Sequence, residues 1–252
     1  MKKLLVVLLA IGVVVGGYYV VRLLPLFTTH NEGGAKVVLL HGLGRTELAM
    51  LLLESALTQA GFDVHNIGYP SNDQAPEELV DMVSGRINSC CGDRGAQTVH
   101  FVGHSLGGLL IRAYLGQHQP TNLGRVVLLG TPNQGSELAD AGRHESFSHT
   151  LLDLAGPTAK ALRTGPKGFA ASLPAPNYPV GVIAGTQDNP VSNGWLPIPN
   201  DGMVSVESAR LGGMTDFITF DVTHWGLRNK PAVAAQVVEF LLHGKFAPAA
   251  DP

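Results

Sequence analysis

Ser105 is the residue whose setting in this chain most directly suggests chemistry. It stands in Gly103-His104-Ser105-Leu106-Gly107, after the apolar run Thr98-Val99-His100-Phe101-Val102 and before Gly108-Leu109-Leu110-Ile111-Arg112-Ala113-Tyr114-Leu115. This order predicts a strand, a tight turn and a helix, with the serine at the apex. A serine hydroxyl is a weak nucleophile. It reacts when it is exposed, close to a base and close to donors for a developing oxyanion. A strained strand-to-helix turn supplies the exposure. The flanking glycines remove side chains that would collide in so sharp a bend. His104, inside the turn, reads as a packed, hydrogen-bonded residue and not as a second base.

A second piece lies upstream. Lys36-Val37-Val38-Leu39-Leu40 is short, apolar and partly β-branched, which predicts a buried strand. It runs into His41-Gly42-Leu43-Gly44, a glycine-bearing loop that can aim a backbone N–H outward. The oxyanion donors are assigned to the N–H of Leu43 and the N–H of Leu106, the residue after the nucleophile.

With these residues in view, the sequence resembles the α/β-hydrolase superfamily, in its lipase and esterase branch. The matching residues are His41-Gly42-Leu43-Gly44, Gly103 to Gly108, Gly130-Thr131-Pro132, Asn200-Asp201-Gly202 with Val204, and His224. The resemblance spans about residues 36 to 243. It implies an α/β-hydrolase fold, a serine nucleophile and carboxylic ester cleavage through an acyl-enzyme. The ester itself is left open. Acyl transfer or thioester cleavage on the same site is the alternative. A non-catalytic lipid-binding module is a further one, which a complete triad disfavours.

In this fold the triad runs Ser, then Asp or Glu, then His. Of the ten histidines, His224 and His243 lie late enough to be the base. Asp216 to Val222 alternates as a strand does, and His224 sits in the loop after it. His243 ends an apolar helix that begins at Pro231, where a basic residue suits the C-terminus. His224 is therefore the expected base. Asp188, Asp201 and Glu207 are the candidates for the acid. Asp201 is preferred, because Asp201-Gly202-Met203-Val204 before Ser208-Ala209 resembles the corresponding lipase loop. Some related bacterial lipases carry a structural calcium near the base, but no ligands for one can be placed here. His144 and His149 match no ligand spacing and read as surface or lid residues. No metal and no cofactor are expected.

Composition sets the frame. The chain has 252 residues, 15% of them charged, with a net charge of −3. That charge argues against nucleic acid as a partner. An acyl ester or lipid is the expected substrate. Strands and helices alternate, which predicts a mostly parallel sheet covered on both faces. Helices are expected from Glu47 to Ala60, from Pro76 to about Asn88, after the serine, and over 231–243. Strands are expected at 36–40, 62–67, 98–102, 125–129, 180–185 and 216–222. The domain should run over 36–246, with a cap insertion at about 135–179 and a disordered tail at 247–252.

The first 27 residues are physically distinct, and 28–35 link them to the domain. Lys2-Lys3 precedes Leu4 to Val21, eighteen residues without a charge. As a helix they would span about 27 Å, close to a hydrocarbon core. Tyr18 and Tyr19 suit an interfacial belt, and the two lysines favour a cytoplasmic N-terminus with the enzyme outside. An uncleaved membrane anchor is expected, with secretion after signal cleavage as the alternative. Cys90 and Cys91 are adjacent. Their Cα spacing of about 3.8 Å is below the usual disulfide range, so two free thiols are expected.

Overall fold

The structure is a computed structural model that describes residue 31 and residues 33–92, 97–141, 156–188 and 196–248. Six strands form one sheet: β1 (Lys36–Leu40), β2 (Asp63–Ile67), β3 (Val99–His104), β4 (Leu123–Leu129), β5 (Val180–Gly185) and β6 (Asp216–Phe220). Their order is β2-β1-β3-β4-β5-β6, and every neighbouring pair is parallel. The chain builds outward from β1 to β2, then returns to the other side of β1 and builds toward β6. The strand order therefore reverses between β1 and β3. Beyond the carboxyl ends of the strands at such a reversal lies the crevice where open α/β sheets bind ligands.

Parallel strands need crossovers, and the crossovers cover both faces. Alternate residues feed two cores. Val38, Leu40, Ile67, Phe101 and Leu128 pack with helices Pro76–Cys91 and Leu106–Gln117. Val37, Leu39, Val64, Val102 and Val127 pack with helices Leu51–Gln59 and Pro231–His243. Pro76 and Pro231 open their helices at a position where the missing N–H costs nothing. Gly244, at φ 76°, closes the last helix, and its N–H reaches Phe240 O at 2.8 Å.

Several boundaries shift from the sequence expectation. The helix expected over Glu47–Ala60 begins as a 3₁₀ turn at Glu47–Met50 and continues as an α-helix at Leu51–Gln59. The helix from Pro76 runs on to Cys91, and β3 extends to His104, directly under the serine. In the cap region the described residues form three short helices, Glu137–Ala141, Gly156–Ala161 and Phe169–Ser172. Thr158 Oγ1 donates to Gln74 O at 2.5 Å, and Ser136 N donates to Leu162 O at 2.6 Å. The insertion is thus pinned to the loop after β2, and its first residues are tied to its own middle. At the C-terminus Ala247 N donates to Gln236 Oε1 at 2.9 Å, so ordered packing extends past the expected limit at 246.

The cysteine expectation is corrected. Cys90 and Cys91 are joined as a vicinal disulfide, with Cα atoms 3.8 Å apart, and no free cysteine remains. The usual spacing describes bridges between residues distant in the chain. Adjacent side chains at the last turn of a helix meet without any approach of separate backbones. The expected membrane anchor at Leu4–Val21 lies outside the described residues, as do His144 and His149. Among the described residues no helix is long and apolar enough to cross a membrane.

Candidate active site

Ser105 lies at the carboxyl end of β3 with φ 55° and ψ −123°. It is the one non-glycine residue with positive φ among those described. That conformation is costly for a residue with a Cβ, so the surroundings must hold it. Ser105 N donates to Leu129 O at 2.8 Å, and Gly108 N donates to Ser105 O at 3.0 Å. The two glycines after the serine are required by close approach. A Cβ on Gly107 would enter the backbone of Leu40 and His41, and one on Gly108 would enter the Thr131 side chain. This packing lets the helix Leu106–Gln117 begin immediately after the serine. Its first N–H, that of Leu106, has no partner within the helix and sits at the positive end of the helix dipole.

The loop His41-Gly42-Leu43-Gly44 follows β1 and lies against the serine. A Cβ on Gly42 would stand 3.0 Å from Ser105 Cβ and 3.0 Å from His104 Nδ1. Glycine here lets the loop backbone come close to Ser105. The loop is clamped by a residue that sequence reasoning did not single out. The Tyr69 ring stacks on the His41 ring, with centroids 4.1 Å apart and planes at 8°. Tyr69 OH donates to His41 O, and Tyr69 N reaches His41 Nε2 at 3.3 Å. His41 Nδ1 lies 2.9 Å from Gly42 O. Together these contacts describe a neutral imidazole protonated at Nδ1. Burial, the leading cause, lowers the His41 pKa below its ordinary value. Gly44 N donates to Ser71 Oγ at 2.9 Å, so the loop after β2 fixes the far side as well. The aromatic-Pro-Ser run Tyr69-Pro70-Ser71 was the available signal, but its partner lies 28 positions away.

The candidate acid and base meet. His224 Nδ1 lies 2.8 Å from Asp201 Oδ2. His224 N also donates to Asp201 O at 2.8 Å. The other carboxylate oxygen, Asp201 Oδ1, accepts from Met203 N at 2.9 Å and Val204 N at 2.8 Å. Asp201 is 1% exposed, so its charge is held by the imidazole and by backbone N–H groups. Asp188 and Glu207, the other candidates, are exposed, and neither bonds His224. Gly130, at φ 52° after β4, passes beside the pair. A Cβ there would stand 3.0 Å from both His224 Nδ1 and Asp201 Oδ2. His243 lies at the end of the last helix, 3.8 Å from Glu239 and away from this cluster.

His104 links His224 to the turn that carries Ser105. Its Nε2 lies 3.0 Å from His224 O, and the two rings are 4.6 Å apart. A carbonyl oxygen only accepts, so Nε2 carries the proton. Burial first, and then the neighbouring His224, push the His104 pKa well below its ordinary value. It is a neutral prop and not a second base. The contacts made by the His224 side chain and carbonyl go to Asp201 and His104.

A buried network holds the acid loop. Arg112 Nη1 donates to Asn133 O and Oδ1 at 3.2 Å each, and Asn133 Nδ2 donates to Ala209 O at 2.7 Å. Ser205 Oγ donates to Glu137 Oε1 at 2.5 Å and caps the short helix Val206–Ala209. The loop after β4 is thereby tied to the segment that follows Asp201.

Comparison with known proteins agrees with this architecture. The palmitoyl protein thioesterase family matches residues 36–158. A triacylglycerol lipase of Pseudarthrobacter phenanthrenivorans is 31% identical over 112 residues, covering 41% of this chain and 35% of the lipase. A triacylglycerol lipase of Burkholderia plantarii is also 31% identical, covering 41% and 31%. The chain thus spans about a third of the length of these curated relatives. Among solved structures, the mature lipase BlEst2 of Bacillus licheniformis superposes with TM-score 0.67 at 20% identity, over 84% of this chain and 92% of that one. Phospholipase PlaB of Legionella pneumophila gives TM-score 0.67 at 14% identity, over 84% and 59%. Fold and site geometry are those of the α/β-hydrolase fold, and the proteins this chain is similar to are lipases and a thioesterase family.

Proposed function

We propose that the protein is a serine hydrolase that cleaves carboxylic esters of lipid or other acyl substrates. The observation that carries this reading is the 2.8 Å contact between Asp201 Oδ2 and His224 Nδ1, beside a serine held at positive φ. Ser105 Oγ attacks the ester carbonyl while His224 Nε2 takes its proton. Asp201 accepts from His224 Nδ1–H and stabilises the imidazolium. The N–H groups of Leu43 and Leu106 receive the oxyanion. His224 then gives its proton to the leaving alcohol. In the second half it takes a proton from water, which attacks the acyl-enzyme and frees the acid.

An acyl substrate is supported by apolar side chains exposed next to these residues. Trp225 is 62% exposed and follows His224, while Met203, 47% exposed, follows Asp201 by two positions. A thioester is the second reading, favoured by the match to the palmitoyl protein thioesterase family. The test is a panel of p-nitrophenyl esters of rising chain length, run beside a phospholipid, a triglyceride and an acyl thioester. Wild type should be labelled at Ser105 by a fluorophosphonate, and Ser105→Ala should lose both label and turnover. Robust hydrolysis by Ser105→Ala would sink the proposal.

The apolar segment Leu4–Val21 is proposed to anchor this domain in a membrane, with the site outside the cytoplasm. The disulfide supports an oxidising compartment. Full-length protein should stay with membranes in high salt, and protease added to spheroplasts should digest the domain. Protection of the domain would reverse the topology.

A further inference from the structure

A second cluster of reactive side chains lies away from Ser105. Asp63 opens β2 and His65 follows two residues later. Strand parity puts both on the side of Ile67, which shares a core with Cys91 and so faces the helix Pro76–Cys91. A ring nitrogen of His65 and the sulfurs of Cys90 and Cys91 lie within 4.8 Å of one another. Asp63 Oδ2 lies 3.2 Å from His65 Nε2 and orients the ring. Lys36 Nζ donates to Cys90 O at 2.7 Å, which brings an ammonium beside the cysteine pair. A cleft of about 170 Å³, lined by Lys36, Cys90, Cys91 and Asn122 among others, gives access from solvent. Lys36 and Asp63 pair at the amino ends of β1 and β2. Ser105 follows the carboxyl end of β3, so the cluster is at the opposite end of the sheet.

We propose that Cys90, Cys91 and His65 form a site for a thiophilic divalent cation of the Zn²⁺ type, opened by reduction of the vicinal disulfide and closed by its formation. Two thiolates and one imidazole are the ligand chemistry such ions select, with water in the fourth place. A carboxylate behind the imidazole is the usual partner of a ligating histidine and raises its basicity. The balance is simple. A dithiol reductant gives two hydrogens to the Cys90–Cys91 bond and becomes a disulfide itself. The cation then displaces both thiol protons and forms two S–metal bonds and one N–metal bond. Sulfurs bonded to each other carry no thiolate, so oxidation and metal binding exclude one another.

The test uses the full-length chain in detergent, reduced with dithiothreitol and desalted under nitrogen, and then titrated with Cd²⁺. The reduced protein should take up one Cd²⁺ per chain with an ultraviolet sulfur-to-cadmium charge-transfer band. Protein reoxidised to the disulfide, confirmed by mass, should show no band. Cys90→Ser and Cys91→Ser should each lose it. His65→Ala should keep a band but bind at least about tenfold more weakly, and Asp63→Asn should weaken binding about tenfold. Circular dichroism checks the fold of each variant, and the reduced-against-oxidised comparison needs no variant. No band in the reduced wild type, an equal band in the oxidised protein, or wild-type affinity in His65→Ala would each overturn the proposal.

Discussion

His104 Nε2 donates to the carbonyl oxygen of His224 at 3.0 Å, so the residue before Ser105 holds the backbone of His224. Ser105 and His224 come from loops after β3 and β6, three strands apart in the sheet. His104 fixes their relative position without touching substrate. Replacing it with leucine removes one buried hydrogen bond, worth about 1 kcal/mol, and should lower kcat roughly fivefold with little change in KM. His104→Gln restores a donor and should recover part of the loss. Equal rates for His104→Leu and wild type would show that the bond positions nothing.

The acid assignment makes a sharper prediction. Asp201 holds His224 by 2.8 Å contacts from both side chain and backbone. Asp201→Asn should cost roughly 10³–10⁴ in kcat, because an amide disturbs the imidazole tautomer. Asp188→Asn should stay close to wild type. Steady-state kinetics of the two variants on one soluble ester decides the matter, and the reverse ranking would move the acid to Asp188.

Tyr69 provides a test of the oxyanion loop. Its hydroxyl bonds His41 O, and its ring covers the His41 ring. Tyr69→Phe keeps the stack but leaves a buried carbonyl without this donor. Stability should fall by about 1–3 kcal/mol. If the loop aims the Leu43 N–H, kcat should fall while KM holds. A loss of stability with kcat intact would confine Tyr69 to a structural role.

Acid should destabilise the fold through its buried histidines. Burial, with Arg125 adding to it, pushes the His100 pKa down to about 4, and burial also lowers His41 and His104. These groups are neutral when folded and basic when unfolded. As pH falls below about 6.5, the unfolded chain takes up protons first. Stability is therefore full above that value and is lost as pH drops toward the folded pKa, for His100 near 4. His100→Gln should reduce the slope of unfolding free energy against pH by about 1.4 kcal/mol per unit between about pH 6 and pH 4.5. Urea melts at several pH values measure this, and an unchanged slope would contradict it.

Much of the architecture is legible along the chain because its causes are local. The short β-branched runs become the strands β1 to β6, since apolar residues at such spacing bury themselves on both faces of a parallel sheet. Gly103-His104-Ser105-Leu106-Gly107 marks its turn because only small neighbours permit that backbone. The helix boundary at Cys91 and the 3₁₀ start at Glu47 are less legible, because end residues are decided by packing and not by propensity.

The sequence by itself therefore determined the turn that carries Ser105, the loop facing it and the succession of strands along the chain, through sterics and periodicity within a few residues. Tertiary structure decided what pairs across the fold. Asp188, Asp201 and Glu207 are all carboxylates in the stretch between β5 and β6, and chain position alone does not rank their distances to His224. The turn that buries Asp201 on two backbone N–H groups brings it to His224 and leaves the other two exposed. Tyr69 meets His41, and His65 meets Cys90 and Cys91, only because β2 lies beside β1 and one helix crosses that face of the sheet. Such contacts depend on where whole elements settle when the core closes, a property of the assembled sheet that no local pattern of residues carries.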